Sequence, residues 1–141
     1  MLPPDTFKNK VAFITGGGTG LGKSMAEMLS GLGAKVFIIS RKQDVLEKTS
    51  NEIMSKTGNQ VAYFATDIRN IEHVKESINA CEKILGDLPS IVINNAAGNF
   101  ISPTERLSPN AIKSVIDIVL YGTLNVTLTM GKRLIEAKKR N

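Results

Sequence analysis

Cysteine and histidine are nearly missing from this 141-residue chain, which has one of each, Cys81 and His73. A single cysteine excludes an intrachain disulfide framework, and the two residues together are too few for a Cys/His metal cluster. A reducing interior is the setting such a composition fits. Aromatic residues are only 5% of the chain, and none is interleaved with the basic residues as a nucleic-acid surface requires. No run of about 18 uncharged apolar residues occurs, which on this criterion excludes a membrane span. Met1-Leu2-Pro3-Pro4-Asp5 has neither the basic-then-apolar order of a signal peptide nor the Arg/Ser-rich pattern of a transit segment.

Charge of one sign is concentrated rather than general. Eighteen Lys and Arg against thirteen Asp and Glu give +5. Five of those bases, Lys132, Arg133, Lys138, Lys139 and Arg140, fall in the last ten residues with Glu136. Removing that tail leaves thirteen against twelve, or +1. A nearly neutral body with a basic helix end is a solvated terminus, and nucleic acid is not an expected partner.

What is present is a regular alternation. Short apolar runs at Val11 to Ile14, Lys35 to Ser40, Gln60 to Thr66 and Ser90 to Asn94 read as buried parallel strands. Between them lie helical periodicities. The first, Leu21 to Leu32, presents Leu21, Met25, Met28, Leu29 and Leu32 as its apolar stripe, with Met25 and Met28 as core filling. The second opens at Asp44 with Glu47 as a capping box, carries Val45, Leu46, Thr49 and Ile53 inward, and stops at Gly58. The third starts near Asn70 and buries Val74, Ile78, Cys81 and Leu85. Cys81 is a small core residue, and His73 a surface one.

A last helix begins at the Ser108-Pro109 cap and runs to about Ala137. It is apolar nearly all round from Val115 to Leu134, so it needs cover on more than one side. One sheet supplies only one cover; further chain or another subunit is expected on the other. The β-α-β-α-β-α-β-α order defines an α/β chain, the first part of a Rossmann-like doubly wound parallel sheet with right-handed crossovers.

The strongest chemical signal is Thr15-Gly16-Gly17-Gly18-Thr19-Gly20-Leu21-Gly22, which follows the first strand and opens the first helix. In that context glycines let the backbone approach a pyrophosphate held at a helix N-terminus. A glycine cluster alone would be only a tight turn. The second strand ends in Ser40-Arg41-Lys42, where an NAD-preferring site would place an acid for the ribose 2′-OH. A basic pair suits a 2′-phosphate, so NADP(H) is the expected cofactor, with solvated loop charge as the alternative. Asp67 ends the third strand and either accepts from an adenine amino group or caps the next helix. The fourth strand runs into Asn94-Asn95-Ala96-Ala97-Gly98-Asn99-Phe100. Its small residues leave room for a flat ribose and nicotinamide; Asn94 and Asn95 can satisfy backbone groups between strands. Asn99 is either a donor to a substrate carbonyl or a turn residue.

These motifs, TGGGTGLG, Asp67 and INNAAGN, resemble the short-chain dehydrogenase/reductase family, and the whole chain is similar to its N-terminal half. NNAAGNFISPTERLSPNA together with MLPPDTFKNKVAFITGGGTGLGK resembles the branch of mitochondrial NADPH-dependent 2,4-dienoyl-CoA reductases. The resemblance implies that Gly16 to Leu21 line the pyrophosphate, with Gly22 in the same motif, that Arg41 meets the 2′-phosphate beside Lys42, and that Asp67 meets the adenine, with Asn95 in the cofactor set. It implies that Arg69, Asn99, Phe100, Leu107 and Ser108 face a 2,4-dienoyl-CoA substrate, Asn99 helping to polarise the thioester carbonyl. It further implies hydride delivery to the conjugated diene, a 3-enoyl-CoA product, a role in auxiliary fatty-acid β-oxidation, a mitochondrial location and a homotetramer built on the last helix.

Two features depart from the wider family. Where many relatives have D-x-N-L-x-G this chain reads Asp117-Ile118-Val119-Leu120-Tyr121-Gly122, so Val119 stands at the asparagine position, and in lacking that asparagine the chain resembles the dienoyl-CoA reductases. The family's catalytic Tyr-x-x-x-Lys is also absent: Tyr63 and Tyr121 are followed at that spacing by Asp67 and Asn125. No catalytic residue is therefore assigned within 1–141. The expectation is one NADP-binding domain over 1–141 whose catalytic half lies further on, inactive by itself. A short non-catalytic NADP-binding or subunit-interaction module, and another short-chain reductase, are the alternatives.

Overall fold

The computed structural model describes residues 2–99 and 101–139. Four parallel strands, β1 (Val11–Thr15), β2 (Lys35–Ser40), β3 (Val61–Ala65) and β4 (Ile91–Ile93), lie in the order β3-β2-β1-β4. The chain steps outward from β1 through β2 to β3, then crosses back to place β4 on the other side of β1. The order reverses between β1 and β4, and ligands of such sheets gather outside the strand carboxyl ends at this reversal.

Both faces of the sheet are covered, which is why its strands read as continuous apolar runs. Ala12, Ile14, Val36 and Ile38 face α1 (Gly20–Gly31) and α2 (Gln43–Thr57), which contribute Ala26, Leu46 and Ile53. Val11, Phe13, Phe37 and Ile39 face α3 (Ile71–Leu85) and α5 (Thr123–Lys138), which contribute Val74, Ile78, Cys81, Leu85, Val126 and Met130. Phe13 and Phe37 stack across neighbouring strands with ring centroids 5.6 Å apart. Each fully buried Phe, Ile or Leu here contributes on the order of 1.5–3 kcal/mol.

Two helix details differ from the sequence expectation. The buried face of α1 is Gly22, Ala26 and Ser30, whereas Leu21 and Met28 are exposed and Met25 only half-buried. Small residues fill the contact between the helix and the strands, so Leu21 and Met28 point outward while Leu29 packs at the edge of the core. Met28 is not core filling. The capping box at Asp44 and Glu47 does not form: α2 begins one residue earlier, behind Lys42, with no side-chain cap, and Asp44 instead lies in the first turn, where its charge complements the helix dipole. By contrast α3 starts where expected, next to Asn70, whose Oδ1 caps it by accepting from the Glu72 and His73 N–H groups.

The final helix is not uniform. It runs as α4 (Pro109–Ile116), a wider π-type segment over Asp117–Gly122, and α5. The wide turn coincides with Gly122, where a Cβ would lie 2.5 Å from Ile68 Cδ1. By length and composition the stretch Pro109–Lys138 is long and apolar enough to cross a membrane. That corrects the exclusion drawn from uncharged apolar runs, which the charged Asp117 and polar residues such as Asn125 and Thr127 interrupt. In the fold its buried side is spent on the sheet through Val126 and Met130, while Ile112, Ile116, Leu120, Leu124 and Leu128 remain exposed.

Candidate functional site

A cleft of about 550 Å³ opens at the carboxyl ends of all four strands. It is lined by the glycine loop after β1, Ser40 to Lys42 after β2, Thr66 to Arg69 after β3, and Asn95 to Ala97 after β4. Four separate strand ends thus converge on one concavity, as the strand order requires.

The glycine loop is locked from three sides. Gly16 sits at φ +66°, a conformation that costs a residue with a Cβ, and its N–H donates to the Ile39 carbonyl at 2.8 Å. A Cβ on Gly22 would collide with the Gly16 carbonyl oxygen, so the first turn of α1 can sit against the loop only as glycine. From the β4 side, Asn95 Nδ2 donates to the Thr15 and Gly16 carbonyl oxygens at 3.1 and 3.3 Å. The buried Thr15 hydroxyl accepts from the Asn95 and Ala96 N–H groups at 3.0 and 2.9 Å. From the α2 side, Thr49 Oγ1 donates to the Gly18 carbonyl at 2.7 Å. Sequence reasoning singled out Asn95 for this inter-strand work but missed Thr15 and Thr49, whose partners lie 80 and 31 residues away.

Of the expected cofactor residues, Gly16, Gly18, Thr19, Gly20, Leu21, Arg41, Lys42, Asp67 and Asn95 line the cleft. Gly17 and Gly22 are buried behind it, where they let the loop approach Ile38 and α1. Thr19 precedes α1 without a side-chain cap, which leaves the helix N-terminus open toward the cleft. Arg41 and Lys42 are both exposed at the rim and, among the described residues, form no ion pair.

Asp67 is held by Arg69, whose Nε and Nη2 donate to its carboxylate at 2.9 and 2.6 Å. That contact, helped by the Arg69 backbone N–H and the charge of Arg41, holds the Asp67 carboxyl below its usual range against the opposing effect of partial burial. The cap of α3 is Asn70, not Asp67. Arg69, expected at the acyl-CoA, therefore lies in the wall of the cofactor cleft. Asn125 on α5 braces this turn by donating to the Ile68 carbonyl at 3.0 Å.

The other expected substrate residues are not brought to the cleft. Asn99 is exposed, Leu107 is half-buried, and Ser108 Oγ accepts from the Ala111 N–H at 3.1 Å as the cap of α4. Phe100 lies outside the described residues. Cys81 is fully buried, and that burial pushes its thiol up to about 12, so it is no nucleophile. Among the described residues no cluster of His, Cys, Asp or Glu could hold a metal ion.

This chain belongs to the short chain dehydrogenase family, which matches residues 10–141. An uncharacterized oxidoreductase of Caenorhabditis elegans is 54% identical over 98% of this chain and 44% of its own length. A protein of the same organism named probable 2,4-dienoyl-CoA reductase 3 is 49% identical over 98% and 45%. The chain thus spans a little under half the length of these relatives. Among solved structures, a short chain dehydrogenase from Bacillus anthracis superposes with a TM-score of 0.86 at 41% identity, covering 94% of this chain and 52% of that one. An alcohol dehydrogenase from Thermococcus sibiricus, complexed with 5-hydroxy-NADP, gives 0.81 at 29% identity over 87% and 52%.

The mitochondrial location is overturned by these relatives. Dienoyl-CoA reductases of Danio rerio at 39% and Saccharomyces cerevisiae at 38% identity are named peroxisomal. The motifs that carried the resemblance build a cofactor cleft, and a cofactor cleft contains no address.

Proposed function

We propose that this chain forms the NADP-binding half of a reductase acting on 2,4-dienoyl-CoA thioesters. The observation that carries the cofactor choice is Arg41 and Lys42 on the cleft rim at the end of β2, where an acid would select a free ribose hydroxyl. Arg41 offers a planar fork to a 2′-phosphate and Lys42 a point charge. The residues fit a dinucleotide on independent grounds. A Cβ at Gly20 would meet nothing within 4 Å, so the loop faces open space there, while Gly16, Gly17 and Gly22 are packed too tightly to carry one. Leu21 lines the same cleft as an exposed apolar side chain, suited to a ribose or nicotinamide edge.

When bound, a reduced nicotinamide dinucleotide supplies the hydride. The chain's own residues bind and orient. The loop amides and α1 N-terminus favour the diphosphate, Arg41 and Lys42 the 2′-phosphate, and Asp67 the adenine amino group from its arginine-held position. The acyl-CoA substrate is proposed from the dienoyl-CoA reductase relatives, with the exposed Asn99 and the half-buried Leu107 toward it, Arg69 and Ser108 being spent on Asp67 and the α4 cap. Reduction of a conjugated thioester builds negative charge on the thioester oxygen, so a donor such as the Asn99 amide has most value there. Residues 1–141 contain no Tyr-x-x-x-Lys, and this segment alone is proposed to bind cofactor without turnover.

The test follows NADPH consumption with a 2,4-dienoyl-CoA in the protein carrying this chain, beside NADPH titration of residues 1–141. Turnover by the former with binding but no turnover by the latter is the expected result. Failure of residues 1–141 to bind NADPH removes the cofactor assignment. Binding with no dienoyl-CoA turnover by either favours the second reading, a non-catalytic subunit docking through the exposed Ile112, Ile116, Leu120, Leu124 and Leu128.

A further inference from the structure

We propose that Thr49 is a positioning residue for the cofactor diphosphate: its buried hydroxyl turns the Gly18–Thr19 peptide so that the Thr19 N–H points into the cleft as a donor. The inference rests on the dinucleotide reading of the cleft and adds a residue from outside its lining.

Thr49 lies in α2, 3% exposed, and its Oγ1 donates to the Gly18 carbonyl at 2.7 Å. A threonine within a helix ordinarily turns its hydroxyl back to a carbonyl one turn earlier. Here it reaches instead to a loop 31 residues away. The peptide between Gly18 and Thr19 is trans, so its carbonyl and its N–H point in opposite directions. Drawing the carbonyl toward α2 drives the Thr19 N–H away from α2, to the side on which Thr19 lines the cleft. Among the described residues this N–H has no acceptor, and the Thr19 side chain does not cap α1. A donor held by a buried bond on its reverse side and left without a partner on its front is preorganised for an anion.

The loop is seated on α2 at the same point: a Cβ on Gly18 would lie 3.2 Å from Val45 Cγ1 and 3.5 Å from Leu46 Cδ2. Without the Thr49 hydroxyl, the Gly18 carbonyl becomes a buried acceptor with no donor. A glycine peptide rotates easily to find water, and the Thr19 N–H turns with it. Because α2 starts directly after Arg41 and Lys42, one helix carries the supports for both phosphate groups, yet by different residues. The two are separable by experiment.

The chain, Thr49→Val and Thr49→Ser are titrated calorimetrically with NADPH and with adenosine 2′-monophosphate, which has the 2′-phosphate but no diphosphate. Thr49→Val is expected to weaken NADPH about tenfold or more, the scale of one lost charge-assisted hydrogen bond. It should leave adenosine 2′-monophosphate within about twofold, and Thr49→Ser should restore NADPH. Equal weakening of both ligands, no weakening of either, or no rescue by serine overturns the assignment. Should Thr49→Val not fold, the Thr19 amide resonance of the unaltered chain decides: it should shift on adding NADPH and not on adding adenosine 2′-monophosphate, and a Thr19 amide indifferent to NADPH overturns the proposal. An unaltered chain that binds neither ligand removes the cofactor reading itself, a distinct result.

Discussion

Arg69 closes a fork on Asp67, Nε lying 2.9 Å from Oδ1 and Nη2 2.6 Å from Oδ2, while its own backbone N–H donates to Oδ1 at 3.0 Å. Two residues apart, the pair turns the chain from β3 toward α3 and fixes a carboxylate in the cleft wall. An adenine amino group meeting Asp67 meets an oxygen already oriented.

This pairing sets a pH dependence. The folded carboxyl titrates below its ordinary value of 3.8, chiefly through the Arg69 hydrogen bonds. Its stabilising contribution is therefore complete above 3.8 and disappears as pH falls through the lower folded value. Both partners are partly exposed, so the effect is on the order of 1 kcal/mol or less. Urea midpoints measured across the acid range should fall less steeply for Asp67→Asn than for the unaltered chain; parallel curves would contradict the pairing.

Arg41→Ala should weaken NADPH by roughly ten- to a hundredfold, the value of a charge-assisted phosphate contact, and leave NADH almost unchanged. Parallel titrations of the two cofactors report the ratio. Equal losses would sink the 2′-phosphate role.

Two glycine substitutions separate packing from backbone strain. Gly20 has φ +54° and open space around it, so Gly20→Ala should cost about 1 kcal/mol in folding. Gly22→Ala places a methyl against the Gly16 carbonyl and should cost at least about 3 kcal/mol or prevent folding. Thermal melts of the pair decide it, and equal midpoints would contradict the loop geometry.

Thr15→Val keeps the shape of the side chain and removes the acceptor shared by the Asn95 and Ala96 N–H groups. A loss of about 2 kcal/mol is expected, since each orphaned donor costs about 1–3 kcal/mol. Chemical denaturation measures it; Thr15→Ser should recover most of the loss.

Strand positions were legible to within a residue or two because the central strands β1 and β2 are buried on both faces and the outer β3 and β4 keep the same apolar runs while half-buried. The start of α3 near Asn70 and its buried positions Val74, Ile78, Cys81 and Leu85 were legible from their helical spacing. The face of α1 was not. Periodicity ranks residues by size, while close approach to the strands selects Gly22, Ala26 and Ser30 by smallness. The Lys42 boundary of α2 and the wide turn over Asp117–Gly122 have no distinct composition to announce them. At the site, glycines and rim charges could be read from chain order, but Thr15 and Thr49 act on partners that only the folded sheet brings near. Arg69 shows the same limit from the other side: its spacing from Asp67 was visible, its fork was not.

The bonds joining Thr15 to Asn95 span 80 residues and cross the point where the strand order reverses. During synthesis, then, the glycine loop leaves the ribosome long before the strand that locks it. Three strands and three helices precede β4 in the chain, so they can assemble while the loop still lacks its β4 clamp, because its last two hydrogen-bond partners have not been made. On the proposed dinucleotide reading, capture of the cofactor waits for the closing of the sheet, because the loop reaches its locked form only once β4 has docked.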